Sequence, residues 1–244
     1  MSVIYNPNTL PKNDNLSRFA YSIDVDGPLY IQKGKMVAYY GALKFEMVGT
    51  GILDIVVKEA FNAPMYAQDF VCVTGRGKLI LGDMGNDISG FDLVDANFTI
   101  KATNLLAVPS TLRCQESTLP GYLTLIGSGR LLVSSNGPPH FLEPPCKIDE
   151  QAVLGWADCP SPSYRYDYAY VHGIISAVGA LSGITRSGEE KQLDFQGKGN
   201  VMVQSSELGL AGRGLLAQIL RQIGTLEKPQ LAEVAQAVAR NMKG

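Results

Sequence analysis

The sequence predicts a mainly β protein: a body of three tandem β-repeats followed by C-terminal α-helices. Three observations carry that expectation. From about residue 18 to residue 206, short runs of Val, Ile, Leu, Tyr and Phe are punctuated by Gly, Pro, Asn and Asp, the mark of short strands joined by turns. Two short patterns each recur three times in strict alternation, which points to internal triplication. After residue 208 the spacing of apolar residues changes to that of amphipathic helices.

The first pattern is Gly-x-Gly-x followed by three apolar residues. It reads "GRGKLIL" at 75–81, "GSGRLLV" at 127–133 and "GKGNVMV" at 197–203. The second opens on Ile31 as "IQKGKMVAY", on Ile100 as "IKATNLLAV" and on Ile148 as "IDEQAVLGW". Their alternation divides the chain into an N-terminal extension (1–17), repeats at 18–95, 96–143 and 144–206, and a helical segment (207–244). The first repeat carries an insertion, "GILDIVVKEAFNAP", whose Ile52, Ile55, Val56 and Ala60 fall on one helical face ended by Pro64. The third carries a Gly-rich arm at 171–185. In the C-terminal segment, Leu215, Leu216, Ile219, Leu220 and Ile223 share one helical side. A second helix is expected from Pro229, with Leu231, Val234, Ala235, Val238, Ala239 and Met242 on its apolar face.

A glycine pair before an apolar run invites a nucleotide-binding reading. A dinucleotide fingerprint needs a third glycine between a strand and a helix, and a phosphate loop needs GK[ST]. Neither is present, and β-rich sequence follows each copy. Gly75, Gly77, Gly127, Gly129, Gly197 and Gly199 are therefore read as structural turns, at bulges or tight bends where glycine supplies positive φ or close backbone approach.

Composition narrows the function classes. A net charge of -2 with no Lys or Arg run argues against general nucleic-acid binding, and 18% charged residues is low enough to suggest surface buried against another subunit. Cys72, Cys114, Cys146 and Cys159 form no CxxC pair, and His140 and His172 are the only histidines, so no metal site is expected. These thiols are read as buried small hydrophobes of a reducing compartment. No secretory signal or 20-residue apolar span is visible, and the expected location is the cytoplasm. No nucleophile elbow or zinc-protease motif appears, and the acidic pairs at 24–26 and 189–190 read as solvated turns, so no enzyme and no cofactor is expected. Tyr164, Tyr166, Tyr168 and Tyr170 alternate at period two, which puts all four on one strand face. Packing or an inter-subunit contact is the favoured role for them, with a ligand platform as the alternative.

The stretch "SGEEKQLDFQGKGNVMVQSS" at 187–206 resembles the signature of the altered-inheritance-of-mitochondria (mitochondrial biogenesis) family. Ser187, Gly188, Glu189, Gly197, Gly199, Val201, Val203, Gln204 and Ser205 match it, and Glu190 departs from it where the family usually has another glycine. The resemblance spans about residues 18–206. It implies that each repeat is a short double-stranded β-helix like a subunit of the trp RNA-binding attenuation protein, and that three chains form a nine-repeat ring, a homotrimer. It brings no catalytic residues. The expected function is a non-enzymatic oligomeric scaffold, connected through the family with membrane or organelle organisation and open to an unidentified protein partner. The alternative is a ring that binds a small ligand or single-stranded nucleic acid between repeats.

Overall fold

The computed structural model describes residues 5–48, 61–158, 162–166 and 191–205. The expected insertion helix up to residue 60, the Gly-rich arm, Cys159, His172, the stretch 187–190 and the C-terminal helices lie outside these residues. Within them the chain is mainly β, with strands pairing antiparallel almost throughout. The Val-, Ile- and Leu-rich runs form the strands because β-branched and large apolar side chains pack well on a pleated, half-buried surface.

Two long strands, β6 (Phe70–Gly82) and β10 (Tyr122–Ser135), and a shorter successive pair, β15 (Lys191–Phe195) and β16 (Asn200–Val203), each have strands on both sides. Their neighbours follow one scheme. On one side of β6 lie β2 (Ala20–Val25), against its second half, and β3 (Leu29–Gln32), against its first. On its other side β4 (Met36–Met47) runs the whole length. For β10 the first flank is one long strand, β7 (Asp87–Lys101). Its second flank is β8 (Leu105–Pro109) with β9 (Leu112–Glu116). For β15 and β16, β12 (Cys146–Asp149) and β11 (His140–Leu142) form the first flank. The second is β14 (Ser163–Tyr166) with β13 (Val153–Ala157). The remaining strands are β1 (Asp14–Ser17), paired with β2, and β5 (Phe61–Asn62), paired in parallel with β9.

These groups are stitched together at two places. β3 pairs with β8 through Leu29↔Pro109, Tyr30↔Val108 and Ile31↔Ala107. β7 pairs with β13 through Thr99↔Trp156 and Ile100↔Gly155. The isoleucines that open the first two recurring patterns, Ile31 and Ile100, thus each lie opposite a small residue seven positions after the next such isoleucine. Ile31, Ile100 and Ile148 are all buried.

The core divides into three clusters. One centres on Tyr30, Phe61, Phe70, Ile100, Leu123 and Leu131, another on Tyr21, Ile31, Leu79 and Leu106, and a third on Tyr122, Trp156, Leu193 and Phe195. In the third, the Trp156 ring sits 4.9 Å from Tyr122 and 5.6 Å from Phe195 between centroids. A buried polar group ties the turn after β6 to β10. The carboxylate of Asp83, 5% exposed, accepts from Lys35 Nζ, Ser134 Oγ and Asn86 Nδ2. Burial raises its pKa, but the hydrogen bonds from Lys35 and Ser134 and the charge of Lys35 outweigh that and hold it below the usual carboxylate value.

At Gly75 φ is +106°, and an added Cβ would lie 2.1 Å from the Ala42 carbonyl oxygen; at Gly34 φ is +76° with open space around it. Gly34→Ala should cost about 1–2 kcal/mol of conformational strain, whereas Gly75→Ala should cost more than about 3 kcal/mol, since β4 must also move. Urea unfolding of both variants reads the difference. For Asp83 the folded pKa is depressed, so its stabilisation is complete above about pH 4 and is lost as pH falls through the folded value. Lys35→Met leaves burial unopposed by a cation. It should remove about 2 kcal/mol at pH 7 and shift the onset of acid unfolding to higher pH, measured by unfolding at a series of pH values.

Candidate functional site

β4 is an edge: among the described residues it pairs only with β6. Most of its large apolar side chains are nevertheless in water, Leu43 being the buried exception. Met36 is 42% exposed, Val37 65% and Tyr39 47%, with Phe45 and Met47 further along the same strand also exposed. The same pattern positions in β8 are Leu105, Leu106 and Val108, each 0% exposed, and in β13 Val153, Leu154 and Trp156, at 0%, 0% and 3%. The residue types are alike; the difference is that β3 lies beside β8 and β7 beside β13, while nothing described pairs with the edge of β4 away from β6.

A cleft of about 470 Å³ lies between β2 with its following loop and β10 with the turn after β8. Its floor is apolar and belongs to the core: Ile23, Val25, Leu29, Ala107 and Leu132. Its rim carries Asp24, Asp26, Asp92 and Arg130. Arg130 donates to both Asp92 carboxylate oxygens, from Nε at 2.8 Å and from a terminal nitrogen at 2.5 Å, and to the Asn13 carbonyl at 3.0 Å. These bonds hold the Arg130 guanidinium above and the Asp92 carboxyl below their ordinary pKa values. Asp24 pairs with Lys78. The walls are joined where the Ser110 amide donates to the Pro28 carbonyl at 3.0 Å.

The residues singled out from sequence are not brought into one site. Gly75 and Gly77 lie within β6, and Gly127 and Gly129 within β10, so both strands continue through the pair; Gly197 and Gly199 occupy the bend between β15 and β16. At Gly127 φ is +125° and a Cβ would meet the Thr111 carbonyl at 2.9 Å. Tyr164 and Tyr166 lie in β14, registered with Leu193 and Lys191; Tyr168 and Tyr170 lie outside the described residues. Asp24, expected in a solvated turn, is instead a strand residue of β2 in an ion pair. Cys72 and Cys114 are buried, which pushes their thiols up to about 11 and about 12, Cys72 with a smaller contribution from Glu46. Such thiols are poor nucleophiles and poor metal ligands. Among the described residues no group of three His, Cys, Asp or Glu is placed to hold a metal ion. No described helix is long and apolar enough to cross a membrane.

Sequence reasoning missed the work of Gln204 and the cleft. Gln204 accepts from the Asn136 amide at 3.0 Å and donates to the Gln151 carbonyl at 2.8 Å, while Ser205 Oγ donates to the Pro138 carbonyl at 2.6 Å. The end of the recognised signature therefore fastens two loops. A buried glutamine has to find such partners, so its position after an apolar strand was the available signal. The cleft joins residues from distant parts of the chain, and no local pattern announces it.

No curated protein matches the chain significantly. The crystal structure of protein SPYM3_0169 from Streptococcus pyogenes is similar to it, with a TM-score of 0.57 and 18% identity over 86% of this chain and 96% of that one, a likeness of fold. The family model for mitochondrial biogenesis AIM24 matches residues 14–206, from the first strand to the residue after Ser205. With its β body covered end to end by that match, the chain belongs to the mitochondrial biogenesis AIM24 family.

Proposed function

We propose that this protein is a non-enzymatic scaffold built of three tandem β units, and that copies join head to tail through their outermost strands. The units are the groups around β6, around β10 and around β15 with β16, each a short double-stranded β-helix. The single observation that carries the reading is the exposure of Met36, Val37 and Tyr39 where the equivalent residues of β8 and β13 are buried. An apolar, unpaired edge in water templates pairing with another chain. The occupant that fits is the strand playing the part of β3 and β7 in the last unit, namely β12.

The register follows from the two seams inside the chain. Ile31 faces Ala107 and Ile100 faces Gly155, so Ile148 of one copy faces Ala38 of the next, Lys147 faces Tyr39 and Cys146 faces Tyr40. Head-to-tail contacts of this kind close into a ring when the rotation per copy permits. Three chains of three units, as the attenuation-protein likeness implies, form a homotrimer. The family description, mitochondrial biogenesis, supports a role in organelle or membrane organisation.

Native mass spectrometry tests the assembly. The full chain should appear at three times 26.3 kDa. The double variant Val37→Lys, Tyr39→Lys puts two charges on the edge and should run as a 26.3 kDa monomer with an unchanged β-type circular dichroism spectrum. A monomeric wild type, or a variant that remains trimeric, contradicts the reading.

A further inference from the structure

We infer that the cleft between β2 and β10 is a binding site for a small amphipathic amine, an aromatic or hydrocarbon body carrying a protonated nitrogen. The site lies within one chain and stands apart from self-association. A volume of about 470 Å³ falls in the range of small-molecule pockets, and the combination of an apolar floor with a few polar rim groups is their usual construction. The floor removes the ligand's hydrocarbon from water.

The charge of the ligand follows from which rim groups are already satisfied. Arg130 spends its donors on Asp92, the Asn13 carbonyl and, at 3.3 Å, the Tyr21 hydroxyl, so it has little to offer an anion. Asp24 is neutralised by Lys78, and Asp92 by Arg130. Asp26 is left as the lining carboxylate with no ion pair among the described residues, exposed at the mouth beside Gly27 and Pro28. An anionic ligand would meet this carboxylate uncompensated; a cationic nitrogen supplies the partner it lacks. A hydrogen bond to a charged group is among the stronger contributions available at a rim. The tie between Ser110 and Pro28 keeps the two walls at a fixed spacing, so the cleft is formed before the ligand arrives.

The test is a fluorescence titration of the full chain with dansylcadaverine, an amine with a naphthalene body, against the anionic 1-anilinonaphthalene-8-sulfonate as competitor. Saturable one-to-one binding with a blue shift is expected, without displacement by the anion. Asp26→Asn should weaken binding at least about tenfold, a loss of about 1.4 kcal/mol. Ser110→Trp, which fills the mouth from the turn after β8, should abolish it. Both variants should keep the wild-type circular dichroism spectrum and solution mass, which separates this site from the assembly edge. Equal affinity for Asp26→Asn and wild type overturns the proposal, as does equal binding of the anionic probe or undiminished binding by Ser110→Trp.

Discussion

The strand groups around β10 and around β15 with β16 each depend on the group before them for the burial of one apolar strand. β8 and β13 are almost wholly apolar, and each is sealed by backbone pairing of only two or three residues with the group before it. Such a short seam works because its register is fixed: a strand that slipped by one residue would turn its buried side chains to the other face. The residue opposite Ile31 and the residue opposite Ile100 are both small. A Cβ on Gly155 would lie 2.3 Å from the Thr99 carbonyl, Ala107 fills the same place in the earlier seam, and Ala38 stands at that position in β4. β4 is therefore composed like a sealed strand.

Hydrophobic packing, rather than charge, holds the body. Asp24 with Lys78 and Asp92 with Arg130 occupy matching positions opposite one another on neighbouring strands. Asp92 and Arg130 are each about half exposed, and pairs of that kind contribute little to stability in water. What they do is dispose of charge at the mouth of the cleft, leaving Asp26 as its lining carboxylate without an ion pair among the described residues. Asp83 differs, because it is buried and must be satisfied.

Much of the architecture was legible in the sequence because its signals are local. The apolar runs became strands, and the three isoleucine-led patterns mark the ends of β3, β7 and β12, where the chain turns into β4, β8 and β13. β7 runs through residue 95, where the first repeat was expected to end, with a register shift near Asp95, whose φ is +48°. No Gly or Pro separates Asp92 from Ile100, which agrees with one strand that merely bulges there. What sequence could not show is which apolar strands have a partner. Met36, Val37 and Tyr39 hold the same pattern positions as Leu105, Leu106 and Val108, and only three-dimensional pairing separates them. The cleft was hidden because its floor and rim come from two groups distant in sequence.

The central claim is that β12 of one copy pairs with β4 of the next in the register of the internal seams. A disulfide tests it most directly, since opposed residues on antiparallel strands have Cα atoms about 4.5–5.5 Å apart, within disulfide reach. Tyr40→Cys, made with Cys159→Ser, places a thiol opposite the native Cys146 of the neighbouring copy. Mild oxidation should yield a covalent species of three times 26.3 kDa on non-reducing gels, lost when Cys146 is also changed to Ser. A chain that stays at 26.3 kDa, with the introduced thiol still open to maleimide, would contradict the account.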